Sequence, residues 1–172
     1  MPTGAHTDIF RLSQLDMKAV RQKIAKILRS PSDLVLDGNY SNKIDKKTRF
    51  ITVTPLTTKS FNETRRFDGK REIETVTMSK QMTASISVYG EGAFEYAQYV
   101  KACLCTTIAL QEFKTIKCSI VSIGDVRDIN QVVGGGYEQR GQFDIILGSE
   151  YVVDYQLNHI EHVDVNVIED PQ

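Results

Sequence analysis

The chain has 172 residues, 41% of them hydrophobic and 25% charged, a balance that suits a globular protein and excludes a disordered or low-complexity one. Its length predicts one domain over 1–172, with 1–10 a flexible amino terminus and 168–172 a flexible tail, and no apolar run approaches the roughly 18 residues that cross a bilayer, so no membrane partner is expected. Net charge is −1, yet residues 1–80 hold 16 Lys and Arg against 9 Asp and Glu while residues 141–172 hold 7 Asp and Glu and no Lys or Arg; head-to-tail contact between copies and two solvated faces of one monomer both fit that split.

The amino terminus, Met1 to Ile9, has neither the basic start nor the apolar core of a secretory leader. Ser13-Gln14-Leu15-Asp16 has the form of a capping box, and Pro31 stops the chain after Arg29. Val20, Ile24, Ile27 and Leu28 recur at helical spacing between those signals, with Arg21, Lys23, Lys26 and Arg29 among them. The spacing predicts a helix with one stripe on a sheet and a basic face outward. That face suits solvent better than nucleic acid, because no aromatic residue is interleaved to stack on bases. Residues 31–48 are polar and rich in turn formers, with room for a short strand at Leu34 to Leu36.

Arg49 to Thr57 reads as a strand, and Pro55 sets its end at a sheet edge. From Thr75 to Tyr89, Val76, Met78, Met82, Ala84, Ile86 and Val88 alternate with Thr, Ser and Gln, broken only by Lys80. Period two marks one strand of roughly 45 Å with an apolar face and a hydroxyl-rich face left for solvent, a neighbour or a lumen. Asp68-Gly69 is a turn signal, so strands near 50–62 and 72–89 are expected to form a long hairpin. Four of the six charges from Arg65 to Glu72 are basic, and the tip is a candidate contact with a neighbour.

After the turn Gly90-Glu91-Gly92 a second helix is predicted from 92 to 111, with Ala93, Phe94, Ala97, Val100, Leu104 and Ile108 on its core face and Tyr96, Cys103 and Leu110 broadening it. Ile116 to Ile123 reads as a strand, 126–133 as a connection and Gly134 to Gly136 as a flexible point. Phe143 to Leu147 is a strand, and Glu150 to Tyr155 either continues it or turns away. Ile160 to Val167 alternates again and closes the fold. The fold class is α+β, a mostly antiparallel sheet with a long central hairpin strand and two main helices packed on one face.

No chemistry announces itself. Gly90-Glu91-Gly92 lacks the third glycine of a dinucleotide fingerprint, Glu95 standing in its place, and reads as a tight turn. His159 and Glu161 share a strand face that His162 does not, and His6, His159 and His162 lack metal-ligand spacing. Three cysteines form no closed disulfide set, and Cys118 in a strand reads as a buried structural thiol. The expectation is no enzyme, no catalytic residue, no metal and no cofactor.

The capped first helix, the strand ending Val88-Tyr89-Gly90 that enters a helix, the segment Tyr137-Glu138-Gln139-Arg140-Gly141-Gln142-Phe143-Asp144 and the closing Ile160-Glu161-His162-Val163 occur in that order. Together they resemble the neck and tail-terminator proteins of tailed bacteriophages, over about residues 10–168. The Gly134 to Gly136 loop and the polar stretch 37–48 depart from that pattern. The resemblance implies a virion protein made in the host cytoplasm, an α+β subunit that forms a ring, typically a hexamer. Such a ring ends the tail tube, joins it to the head-to-tail connector and lets genome DNA pass through its lumen without sequence-specific binding. Its partners would be itself, the tube protein and the connector or adaptor. For contacts between copies, the charge split suggests Arg65, Arg66 and Arg71 against Glu161, Asp164 and Glu169, with Arg140 an internal tie. Another neck, completion or tube subunit shares this logic. A nucleic-acid module would instead use the first helix with Lys43, Lys46, Lys47 and Arg49.

Overall fold

The computed structural model describes residues 9–39, 49–133 and 136–157. Its elements run β1 (Ile9–Ser13), α1 (Met17–Leu28), a 3-10 turn at Ser32–Leu34, β2 (Val35–Asp37), β3 (Phe50–Asp68), β4 (Ile73–Tyr89), α2 (Ala93–Leu104), α3 (Thr107–Lys114), β5 (Cys118–Ile123), β6 (Arg127–Asp128), β7 (Gln131–Val133), β8 (Gly136–Glu138) and β9 (Arg140–Gln156). β1, β9, β4, β3 and β2 lie side by side in that order, and β5 and β6 also pair with β9. These pairings are antiparallel except β2 on β3, and β7 and β8 pair apart from the sheet. The α+β architecture matches the expectation, with three helices among the described residues. The predicted hairpin is present and longer than foreseen, since β3 runs on to Asp68. Glu150 to Tyr155 continues β9. The closing strand predicted at 160–167 lies outside the described residues.

The core forms where the helices cover one end of this sheet. Val20, Ile24, Ala25 and Leu28 of α1, Ala93, Ala97, Val100 and Leu104 of α2 and Phe113 of α3 pack on Val53, Ala84, Ile86, Val88, Phe143, Ile145 and Leu147. The strand residues in that group are cross-strand partners on one face, as Val53, Ile86 and Phe143 show. Gly141 lets α2 lie directly on β9, because a Cβ there would stand 2.6 Å from the Ala93 carbonyl oxygen and 2.9 Å from the Ala97 Cβ.

Two helix boundaries differ from the sequence expectation. Asp16, not Ser13, caps α1, its Oδ1 accepting from the Lys18 N–H at 2.8 Å; Ser13 is drawn into β1, which pairs with β9. At the other end Arg29 takes the left-handed conformation (φ 52°) and the Ser30 N–H reaches back to the Ala25 carbonyl, a closure that leaves Pro31 outside the helix. The second predicted helix is broken at Cys105 and Thr106. Thr106 Oγ1 accepts from the Ala109 N–H and donates to the Cys103 carbonyl, so its side chain starts α3 anew. The new axis puts Ile108, expected in the core, at 65% exposure, leaves Leu110 exposed and buries Phe113 fully.

Candidate assembly interface

The strands outrun the helices, and two different surfaces result. At the covered end the face away from the helices is a hydrogen-bonded polar layer. Gln142 donates to Ser85 Oγ at 2.6 Å, Arg140 donates to Ser87 Oγ at 3.0 Å, and Arg127 pairs with Asp144 at 2.7 Å. Ser85 and Ser87 are only 4% and 2% exposed. This part of the hydroxyl face is therefore not free for solvent or a neighbour, which corrects the expectation, because longer side chains of β9 lie over its small residues. Arg140 is an internal tie, as expected, but to Ser87 of β4 and over the Tyr89 ring, which itself stacks on Phe50.

The same layer locks the turn into α2. Gly90 (φ 110°) and Gly92 (φ 65°) hold conformations that favour glycine. The Gln139 carbonyl accepts from the Gly90 N–H at 3.2 Å, and its side chain accepts from the Gly92 N–H at 2.8 Å. Arg49 donates twice to the Glu91 carbonyl and stacks over Tyr96. Gln139 thus engages the N–H groups of both Gly90 and Gly92, and Arg49 the carbonyl between them, which ties the turn to the segment leading into β9. The Tyr137 to Asp144 motif works through Gln139, Arg140 and Gln142, of which only Arg140 was given a role from sequence.

Beyond Thr83 the ribbon becomes an arm. Every residue of β3 from Leu56 to Asp68 is exposed, Leu56, Phe61 and Phe67 among them, while β4 from Ile73 to Thr83 is half-buried along its length. Extra residues Leu56 and Asn62 bulge out of β3, Asn62 at φ 54°. At the tip Asp68 Oδ1 accepts from the Lys70 and Arg71 N–H groups, and the Leu157 N–H bonds to the Glu72 carbonyl. Arg65 is paired to Glu63 at 2.7 Å, a bond that raises the guanidinium pKa further. Arg71 is 3.9 Å from Asp68, and Arg66 has no ion-pair partner among the described residues. Arg65 and Arg66, being successive strand residues, point to opposite faces of the arm. Glu161, Asp164 and Glu169 lie outside the described residues. Phe61 falls within the strand expected near 50–62, whereas Phe67 lies past its expected end, and neither was assigned to a contact from sequence.

The basic face of α1 is largely neutralised. Arg21 pairs with Asp37 at 2.9 Å, and Lys23 and Lys26 both reach Glu112 of α3, whose carboxyl is held below its ordinary pKa by Lys26 and then Lys23. Of the cluster expected to join that face, Lys43, Lys46 and Lys47 lie outside the described residues. Cys118 is buried, and desolvation pushes its thiol up to about 11.

A long arm thus extends from a helix-covered core. Residues 17–172 match the family described as phage neck terminator protein. The chain belongs to that family. No curated protein matches it. Membership makes this a structural protein of the virion neck that meets head and tail proteins, and no helix among the described residues is long and apolar enough to cross a membrane.

Proposed function

We propose that copies of this neck terminator close into a ring, a homohexamer, that ends the tail tube and joins it to the head-to-tail connector, with genome DNA passing through the lumen. The observation that carries this reading is the arm. The sheet β1-β9-β4-β3 runs on past the helices, and an arm that exposes Phe61 and Phe67 and leaves Arg66 without an ion partner among the described residues has reason to meet another surface. In a ring the hydroxyl face of the distal strand, Thr75, Thr77, Ser79 and Thr83, suits a lumen wall that DNA slides past without sequence reading. Arg66, freer than the internally engaged Arg65 and Arg71, is the strongest of the proposed cations for Glu161, Asp164 or Glu169 of a neighbour; a ring structure holding these groups more than about 8 Å apart would remove that pairing.

Negative-stain imaging and native mass spectrometry of the purified protein, alone and mixed with tail tubes, test the ring. Closed rings in either condition are expected, and monomers in both would refute the reading. Labelling the protein in virions separates a terminator from another neck, completion or tube subunit. The nucleic-acid reading is weakened by the ion pairs on α1, and duplex binding that falls steeply with salt would restore it.

A further inference from the structure

We propose that the sheet itself carries the ring: the outer edge of β1 in one copy adds to the outer edge of Glu63–Asp68 in β3 of the next, so that four strands per copy form one closed barrel. This inference rests on the ring reading above and deepens it.

The register puts the two edges at one height. Ile9 lies beside Tyr155, which lies beside Glu74, which lies beside Phe67; likewise Leu12, Val153, Val76 and Arg65 form one row, and Ser13, Val152, Thr77 and Thr64 the next. Along these rows the arm is a four-stranded sheet, β1-β9-β4-β3. Among the described residues both outer strands have an unpaired side there, since β2 covers β3 only at Ile51 to Val53. Bulges at Leu56 and Asn62 spoil the β3 edge lower down, whereas Glu63 to Asp68 pairs with Ile73 to Met78 without interruption. Edge bulges discourage pairing, so the regular stretch is the one open to addition.

The strand count fixes the direction. All three pairings in the arm are antiparallel, so β1 and β3, three steps apart, run oppositely. A neighbour generated by rotation about an axis along the strands brings its β3 antiparallel to β1, and the alternation continues across the junction. Such a contact joins unlike surfaces and closes into a ring. The competing contact, β3 on β3 about a two-fold axis through Arg65 and Arg66, would set arginine against arginine, which destabilises a cross-strand pair.

The test uses full-length protein with Cys103→Ser and Cys105→Ser, adding Leu12→Cys together with Thr64→Cys, Arg65→Cys, Arg66→Cys or Phe67→Cys in turn, a scan that allows for stagger. Within one copy β1 and β3 are three strand spacings apart, about 14 Å, beyond the roughly 7 Å limit for a disulfide. Any bond between them therefore joins two copies. Expected on oxidation is a ladder of covalent oligomers, up to the ring number, at one or two adjacent positions. Rings seen by imaging with no such bond at any position, or with Thr64→Cys linking only to itself, would overturn the edge contact and leave the ring reading standing. Absence of rings from the wild-type protein, alone and on tubes, would overturn both. As an independent check, strand N–H groups alternate between the two sides, so one of Thr64→Pro and Arg65→Pro removes only an outward N–H. That variant should keep its melting temperature and lose the ring; rings from both proline variants would count against the contact.

Discussion

The two halves of β4 have the same alternating sequence and opposite environments. From Ala84 to Val88 every residue is buried on both faces, while from Ile73 to Thr83 every residue is half-buried. In the first half Ala84, Ile86 and Val88 meet the helices, and Ser85 and Ser87 meet Gln142 and Arg140. In the second half the pairing partners among the described residues are the neighbouring strands β3 and β9. Alternation thus specifies a strand and its two faces, and what packs on each face is settled by chain far away in sequence.

The covered half should be where substitutions cost most. Phe143→Ala, in the fully buried row with Ile86, is expected to lose about 3–5 kcal/mol in denaturant titration. Gly141→Ala forces a methyl group against the Ala93 carbonyl and Ala97 and should cost about 1–3 kcal/mol. Ser87→Ala removes the acceptor of Arg140, whose Nε is already buried without a partner, and is expected to cost about 1 kcal/mol by the same measurement. A cost as large as that of Phe143→Ala would show the polar layer to be as important as the core.

Smaller effects probe the helix layer and the arm. The depressed carboxyl of Glu112 stabilises the fold above its unfolded value, near 4.5, and that contribution fades as pH falls through the lower folded value. The denaturation midpoint of Glu112→Gln should therefore lie below wild type at pH 7, and the gap should close in acid. Arg65→Ala on the exposed arm should leave the denaturation midpoint close to that of wild type, and the arm amides of Ile73 to Thr83 should exchange hydrogen faster than those of Ala84 to Val88. Equal protection of the two halves in a monomer would erase the contrast.

Much of this fold was legible from sequence because it is local. The hairpin, the α1 stripe Val20, Ile24 and Leu28, the turn at Gly90 to Gly92 and the buried thiol of Cys118 each follow from a period or a residue type within a short window. The misreadings share one cause. Ser13 and Asp16 are both good caps, and the choice went to Asp16 because Ser13 pairs with β9, more than a hundred residues on. Ile108 continues the α2 stripe by spacing, yet the Thr106 cap starts a new axis that buries Phe113 instead. Of the proposed contacts between copies, the structure places only the basic partners, on the arm, and two of the three are engaged there with acids of the same hairpin.

Sequence alone determined that long strands alternate, where they turn, where the first two helices begin to within a few residues and which kind of phage protein they resemble, because periodicity, turn chemistry and caps act between near neighbours. Only the tertiary structure decided which stretch of each strand is covered, that Ser85 and Ser87 are interior and that β1 and β3 end as the two edges of one arm. Burial and edge exposure depend on which distant segments meet, and no local pattern carries that information.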